Sequence, residues 1–189
     1  MRLDQMLVTR GLAPSRSRAQ DLIKRGFVSV AGVRCDKPAY DAKDDVAIAI
    51  SADAPSYVSR GAEKLLAALE HFDLEVAGRV ALDVGASTGG FTQVLLERGA
   101  DRVYAVDVGT AQLHERLRSD PRVISIENAD ARTLTAAEIP DAAGAIVVDV
   151  SFISAAKVLP AVLPFAAPGA WLVVLVKPQF EIGRENIGS

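Results

Sequence analysis

The sequence predicts an α/β protein: a mostly parallel sheet covered by helices, preceded by a small unit of helices and short strands. From about residue 57 onward, short apolar segments alternate with helical ones, which is the pattern of strand–helix–strand units. These apolar segments are almost continuous runs of Val, Ile, Leu and Ala, as expected of strands buried on both faces. A glycine turn over residues 85–90 follows the first of them, where such sheets bind nucleotide-like ligands.

Residues 1–52 are predicted to form the small α+β unit. A short first helix around residues 3–7 ends at Gly11. Ser15 is a suitable N-cap for a second helix, whose apolar stripe lies at positions 19, 22 and 23, and Gly26 stands where a left-handed C-terminal residue belongs. Strands are predicted over 27–30, 33–35 and 46–50, with a turn at Ala31-Gly32.

Residues 53–60 are predicted to be a linker and the start of the second unit, which occupies residues 61–189. A helix with an apolar face at Leu65, Leu66 and Leu69 opens that unit. Strands are predicted over 80–85, 102–108, 123–126, 145–150 and 171–177, and helices over 89–98, 110–118 and 154–165.

Composition narrows the functional classes. Half of the residues are hydrophobic, yet the longest uninterrupted apolar run, residues 170–176, is too short for a membrane span. We therefore expect a cytoplasmic protein with neither span nor signal peptide. Cys35 has no second cysteine to pair with, and its distance from His71 and His114 suggests no metal site.

Charge is unevenly distributed along the chain. The net charge is −3, but residues 1–38 contain eight Lys and Arg against three Asp, a net +5, which leaves −8 on the remainder. A basic N-terminal segment followed by an acidic remainder indicates a polyanionic partner such as nucleic acid. Six cations lie on the second helix and the hairpin, where they suit either phosphate contacts or a solvated helix face: Arg16, Arg18, Lys24, Arg25, Arg34 and Lys37.

The N-terminal unit resembles the small RNA-binding domain named after ribosomal protein S4. The resemblance rests on Arg2-Leu3-Asp4, on Ser15-Arg16-Ser17-Arg18-Ala19 and on Gly26-Phe27-Val28-Ser29-Val30. It implies that Arg2 and the six cations above bind RNA. Ala31 departs from the family, which usually has Asn there, and an alanine is strained if the turn needs positive φ.

The glycine turn predicts a cofactor pocket lined by Gly85, Gly89 and Gly90, because glycine allows the backbone to approach a ligand closely. A dinucleotide fingerprint would need glycine at Ser87, which counts against NAD. The segment from Asp83 to Phe91 instead resembles motif I of S-adenosylmethionine-dependent methyltransferases. Asp83 would then favour the cationic cofactor directly or through water.

The ends of the next two strands complete the predicted cofactor site. Asp107 can accept hydrogen bonds from both ribose hydroxyls, although an Asp here is also a common helix cap. Asp130 can accept a hydrogen bond from the adenine amino group, with an ordinary loop Asp as the alternative. Val108 and Ala131 are their predicted neighbours in the site.

Asp149 and Lys177 follow two further apolar strands, so both charges should lie at the ligand-binding edge of the sheet. Lys64, on the helix that opens the second unit, would by its spacing alone be a surface lysine.

Five segments of the second unit resemble FtsJ-like ribose methyltransferases, and the whole chain resembles the TlyA family of rRNA 2′-O-methyltransferases, whose members are often labelled haemolysins. The matching segments are Tyr57–Leu65, Asp83–Phe91, Tyr104–Gly109, Asp149–Ser154 and Val176–Glu181. The resemblance implies S-adenosylmethionine as cofactor, ribosomal RNA or ribosomal subunits as partner, and Arg60 as a further RNA-binding residue.

The resemblance also implies a Lys-Asp-Lys-Glu tetrad, whose first three members are Lys64, Asp149 and Lys177. Lys177 is the candidate base for the 2′-hydroxyl, oriented by Asp149. A lysine is a base only in its neutral form, which a neighbouring cation such as Lys64 favours. Family members continue for roughly fifty more residues, so we expect the last strands and the catalytic Glu to be missing. Glu181 and Glu185 lie in the wrong segment to replace it.

Two other functions stay open at this stage. A non-catalytic RNA-binding or ribosome-assembly protein would bind cofactor without turnover. A pore-forming haemolysin is suggested only by the family label, since no spanning segment or amphipathic barrel pattern supports it.

Overall fold

The computed structural model describes residues 1–54 and 56–181, so Pro55 of the predicted linker and Glu185 lie outside the described residues. It divides the chain into two compact units, Met1–Ser56 and Tyr57–Ser189.

The first unit joins two helices to a three-stranded antiparallel sheet in the order β2-β1-β3. Its elements are α1 (Leu3–Thr9), α2 (Arg16–Lys24), β1 (Val28–Val30), β2 (Val33–Arg34) and β3 (Ile48–Ile50). As predicted, the Ser15 side chain caps α2 by accepting a hydrogen bond from Arg18 N at 3.2 Å. The apolar stripe of α2 packs with Leu3 and Leu7 of α1 in one buried cluster.

The turn between β1 and β2 needs positive φ at both central residues. Ala31 has φ 49° and Gly32 has φ 79°, as in the hairpin turns that match strand twist. Ala31 therefore carries the steric cost anticipated from the sequence.

The second unit contains a five-stranded sheet in the order β6-β5-β4-β7-β8, in which every neighbouring pair is parallel. This confirms the predicted α/β class. Its strands are β4 (Val80–Val84), β5 (Arg102–Val106), β6 (Val123–Ile126), β7 (Ala143–Val148) and β8 (Ala166–Val174). Its α-helices are α3 (Gly61–His71), α4 (Gly90–Glu97), α5 (Glu115–Arg118), α6 (Ala155–Val162) and α7 (Pro178–Glu181).

Both faces of the three central strands, β5, β4 and β7, are buried. Ala81 of β4 belongs to one apolar cluster, with α3 and α4, whereas Leu82 belongs to a second cluster that includes Val158 of α6. Successive strand residues point to opposite faces, so each strand contributes to both clusters. That requirement explains the near-continuous apolar runs in the sequence.

The strand register brings the chemically active segments to one edge. Val84 of β4 pairs with Val106 of β5 and with Val148 of β7, and Val106 pairs with Ile126 of β6. The residues that follow these strands therefore meet at the carboxyl edge of the sheet. The connection after β4 leads to β5 on one side, and the connection after β7 leads to β8 on the other. Ligand crevices in open α/β sheets lie between two such neighbouring strands.

The helix predicted over residues 110–118 is wrong in its first half, because α5 begins only at Glu115. The backbone amides of Ala111 and Gln112 donate to the carboxylate of Glu127, at 2.8 and 3.1 Å. A side chain distant in sequence thus holds amides that the predicted helix would have included. Within residues 1–54 and 56–181, the structure has no helix with the length and apolar character needed to cross a bilayer.

Candidate functional site

The turn after β4 is built by a close approach of two backbone segments. Gly85 has φ 88°, and a Cβ there would lie 2.6 Å from the carbonyl oxygen of Asp149, after β7. No side chain fits at that distance, so glycine is required. Ser87 follows at φ 49° and is exposed. This part of the turn opens toward solvent beside Asp149.

Asp107 ties the turn to the end of β5. Its Oδ2 accepts a hydrogen bond from Ser87 N and its Oδ1 accepts one from Gly109 N, both at 2.7 Å. Each carboxylate oxygen has two lone pairs, so Asp107 keeps acceptor capacity for a ligand. The carboxylate therefore orders the site and can also bind hydroxyl groups.

Two adjoining cavities of about 360 and 520 Å³ lie at this edge. Gly85, Ser87, Asp107 and Asp149 line the smaller one, and Asp130 lines the larger. Both cavities share a mixed wall of apolar and hydroxyl side chains: Val108, Ala131, Val150, Ser151, Phe152 and Ile153. Such a space suits a ligand with one apolar ring and several polar groups.

Lys177 and Asp149 form an ion pair at the edge of the smaller cavity. Lys177 Nζ lies 2.6 Å from Asp149 Oδ1 and donates to Ser151 Oγ at 2.8 Å. Each of the two charged side chains is 20% exposed, so solvent only partly screens the pair. The structure thus brings together two of the three predicted tetrad residues and adds Ser151.

Lys64 lies on the solvent side of α3. Its side chain is exposed, and within residues 1–54 and 56–181 it makes no hydrogen bond or ion pair. Its predicted role beside Lys177 therefore rests on the family resemblance.

Asp83, predicted to favour the cofactor directly or through water, lies beneath the surface of the site. The Asp83 side chain is fully buried, lines neither cavity and accepts a hydrogen bond from Thr92 Oγ1 at 2.6 Å. Its Oδ1 has no hydrogen-bond partner. Burial raises the pKa of Asp83 from 3.8 to about 7, and the nearby carboxylates of Asp149 and Asp107 add to the increase.

We predict that Asp83→Asn changes how stability depends on pH. Since the pKa of Asp83 is raised on folding, the folded state keeps a proton that the unfolded chain loses between about pH 4 and pH 7. The stabilisation that this proton provides is complete below about pH 4 and is lost as pH rises through about 7. As pH rises over this range, the wild type should lose on the order of 4 kcal/mol in the free energy of unfolding relative to Asp83→Asn. Urea unfolding measures this difference.

Asp101→Asn is the matched control, because Asp101 is an exposed aspartate of the same unit. Its stability curve should run parallel to that of the wild type. Parallel curves for Asp83→Asn as well would contradict the raised pKa.

Gly89, Gly90 and Phe91 belong to the segment whose resemblance to motif I predicts a cofactor site. All three are buried and none lines either cavity. A Cβ on Gly89 would lie 2.3 Å from Leu117 Cδ1, and one on Gly90 would lie 2.1 Å from Ser59 Oγ. These glycines allow close packing at the start of α4, and Phe91 belongs to the apolar core.

Asp130 serves as the cap of a single-turn 3-10 helix, Ala131–Thr133. Its Oδ1 accepts from Arg132 N at 2.9 Å, and both carboxylate oxygens pair with the Arg132 guanidinium. The hydrogen bonds from Arg132 lower the pKa of Asp130 to about 2. Asp130 nevertheless lines the larger cavity. It therefore acts as a structural loop Asp and also has access to the predicted site.

Glu181 is occupied elsewhere in the unit. Its carboxylate accepts from Ala155 N at 2.8 Å and from the Ser154 hydroxyl, which stabilises the start of α6 and lowers the pKa of Glu181. Glu181 therefore has a structural role at the start of α6.

Sequence reasoning missed several residues of the site. Phe152, 90% exposed with φ 65°, faces Phe180 at a ring separation of 5.4 Å. Gln112 lines the smaller cavity, and its side-chain oxygen accepts from Ser87 Oγ at 3.4 Å. A phenylalanine three residues after the strand-end acid Asp149 is the one signal that the sequence offers.

In the first unit, a buried carboxylate organises the predicted RNA-binding cations. Asp4 is fully buried and accepts hydrogen bonds from Arg2 at 3.0 Å, Arg16 at 2.9 Å and Gln20 at 2.7 Å. These bonds, with that from Arg2 the largest, hold the pKa of Asp4 well below its usual range. The Arg2 and Arg16 side chains are still 42% and 52% exposed, so both keep free donor groups.

The other predicted cations of this unit form two groups. Arg18 and Arg25 lie 3.0 and 3.7 Å from Asp21. Lys24, Arg34 and Lys37 are exposed, and the Arg34 guanidinium donates to Arg25 O at 3.4 Å.

Family comparison agrees with both units. The FtsJ-like methyltransferase family matches residues 57–189, and the S4 domain matches residues 1–48. A 16S/23S rRNA (cytidine-2′-O)-methyltransferase TlyA of Mycobacterium tuberculosis is 50% identical over 188 residues, covering 99% of this chain and 70% of the relative. The chain belongs to the TlyA family of FtsJ-like methyltransferases.

Other TlyA-like relatives carry different names. Hemolysin A of Brachyspira hyodysenteriae is 43% identical, covering the whole of this chain and 79% of the relative. A solved structure from Streptococcus thermophilus, also with a hemolysin name, superposes with a TM-score of 0.74 at 42% identity. The match covers all of this chain and 70% of the Streptococcus thermophilus chain. The TlyA fold therefore extends through both units.

Proposed function

We propose that this chain transfers a methyl group from S-adenosylmethionine to a ribose 2′-hydroxyl of ribosomal RNA. The observation that carries the proposal is the Lys177–Asp149 ion pair at the edge of a cavity that Gly85 and Asp107 also line. The pair supports the proposal because methyl transfer to a hydroxyl requires a proton acceptor close to the methyl donor.

The residues of the cavity fit the cofactor. Asp107 has free lone pairs for the two ribose hydroxyls, Val108 and Ala131 provide apolar contacts for an adenine ring, and Gly85 lets the backbone approach the amino-acid part. When bound, S-adenosylmethionine supplies an electrophilic methyl group on a cationic sulfur. The acidic residues around the cavity favour such a cation.

Lys177 is the proposed base. In its neutral form it accepts the proton of the 2′-hydroxyl, and Asp149, 2.6 Å away, stabilises the ammonium that results. Ser151 accepts a hydrogen bond from the same nitrogen and so limits its orientation. Lys64 is proposed as a further residue of the catalytic site, on the basis of the family pattern.

We further propose that the first unit binds the RNA backbone. Its exposed guanidinium and ammonium groups carry the charge that phosphates attract, and one carboxylate holds both Arg2 and Arg16. Arg60, in the second unit, is a further candidate for RNA contact.

We predict that Lys24→Ala and Lys37→Ala each weaken RNA binding and reduce its salt dependence. Both lysines are exposed, and each phosphate contact removed should lower the slope of log affinity against log salt by about 1. Binding to ribosomal RNA at several salt concentrations measures the slope. Lys43→Ala, at an exposed lysine of the same unit outside the predicted set, is the control and should keep the wild-type slope.

The proposed activity is tested with methyl-labelled S-adenosylmethionine and separated ribosomal subunits. Labelled RNA is digested with a nuclease that needs a free 2′-hydroxyl, so a 2′-O-methyl group leaves a resistant labelled dinucleotide. Such a product supports the proposal and identifies the subunit. Label on bases alone, or cofactor binding without transfer, contradicts it; the latter result favours a non-catalytic RNA-binding protein.

A further inference from the structure

Glu127, directly after β6, binds four donors from another part of the chain. Its Oε2 accepts from Ala111 N at 2.8 Å, and its Oε1 accepts from Gln112 N at 3.1 Å and Leu113 N at 3.3 Å. Arg118 Nη2 donates to the same Oε1 at 3.0 Å. Three consecutive backbone amides therefore converge on one carboxylate, as in an anion-binding nest.

The three amide donors belong to a segment without regular secondary structure, whereas Arg118 is the last residue of α5. Residues 108–113 lie between β5 and α5, and Ala111 has φ 51°. A second tie comes from Asn128, whose backbone N donates to Gly109 O at 3.1 Å and whose side-chain oxygen accepts from Thr110 Oγ1. The end of β6 thus determines the path of the segment.

The same segment forms one wall of the smaller cavity. Val108, Gly109 and Gln112 line it, while Glu127 does not. Gly109 N also donates to Asp107 Oδ1, and the Gln112 side chain bonds Ser87. A shift of the segment would therefore displace both the carboxylate and the turn that face the cavity.

We propose that Glu127 is a positioning residue for S-adenosylmethionine, which holds residues 108–113 in the conformation that completes the cofactor cavity. The inference rests on the proposed function, because it assigns that cofactor to the cavity. Hydrogen bonds from the backbone, with that of Ala111 the largest, lower the pKa of Glu127, so the carboxylate remains ionised at neutral pH.

The test measures binding of S-adenosylhomocysteine to the 189-residue chain by calorimetry. Glu127→Ala removes all four acceptor contacts and should raise the Kd about 10- to 100-fold, the range for lost charge-assisted hydrogen bonds. Glu127→Gln keeps one acceptor oxygen, and its Kd should fall between those of Glu127→Ala and the wild type. Glu115→Ala, at an exposed glutamate of α5, is the control and should bind as the wild type does.

Two further readouts separate positioning from general stability. Amide hydrogen exchange at residues 111–113 should accelerate in Glu127→Ala while the strands keep their protection, and the rate of methyl transfer at saturating cofactor should stay within about twofold of the wild type. The inference about Glu127 is overturned, and the proposed function is unaffected, if Glu127→Ala binds with wild-type affinity or loses protection throughout the sheet. No binding by the unmodified chain overturns the proposed cofactor, and this inference with it.

Discussion

Lys177→Ala should lower the rate of methyl transfer about 10²- to 10⁴-fold, the range for loss of a positioned general base. The Lys177 nitrogen lies 2.6 Å from Asp149 Oδ1, and no other lysine contacts Asp149 within the described residues. Cofactor affinity should change little, because Lys177 is not among the residues that line the cavity. Single-turnover transfer of labelled methyl to ribosomal subunits measures the rate, and calorimetry with S-adenosylhomocysteine measures the affinity.

The substitution also leaves Asp149 without its ion-pair partner, so folding must be checked separately. Lys177→Arg is informative here: it restores a cation beside Asp149, but guanidinium is not a base at neutral pH. It should fold and bind cofactor as the wild type does, yet remain inactive. Lys43→Ala serves as the surface control. Normal transfer by Lys177→Arg would exclude Lys177 as the base.

Gly85→Ala should both destabilise the second unit and weaken cofactor binding. An added Cβ would lie 2.6 Å from Asp149 O and 3.2 Å from Val150 N, both backbone atoms that cannot rotate away. The ends of β4 and β7 would have to separate, in addition to the strain of φ 88°. We expect a loss of about 2 to 4 kcal/mol in the free energy of unfolding and at least a tenfold increase in Kd.

Gly78→Ala separates the effect of backbone strain from the effect of the contact with Asp149. Gly78 has φ 71° in the same unit, but a Cβ there meets no atom within 4 Å. Gly78→Ala should lower the free energy of unfolding by about 1 kcal/mol, because of backbone strain, and leave cofactor affinity unchanged. Urea unfolding and calorimetry of both variants give the comparison. Equal losses for the two would show that the contact with Asp149 is unimportant.

Local patterns correctly predicted the elements that depend on residues close in sequence. The Ser15 cap, the stripe of α2 and the strand–turn–helix around Gly85 need only short spacings, and the structure has all three. The pairing of Lys177 with Asp149 was also anticipated, because each follows an apolar strand of one parallel sheet.

Other features were beyond local patterns. Glu127 lies 15 residues from Gln112, and only the pairing of β5 with β6 brings them together, which is why the helix over 110–118 was predicted too long. The burial of Asp83 is another such feature, because it depends on an inward-facing position in a strand that is covered on both sides.

The sequence by itself determined the two units, the parallel sheet, the family and the edge at which the site forms, because periodicity and strand-end residues report on local conformation and burial. Only the tertiary structure decided which of those residues face the cavity: Gly85 and Asp107 do, whereas Asp83 and Gly90 are packed beneath other side chains. The physical reason is that contact partners and solvent access depend on strand register and close packing between segments far apart in the chain.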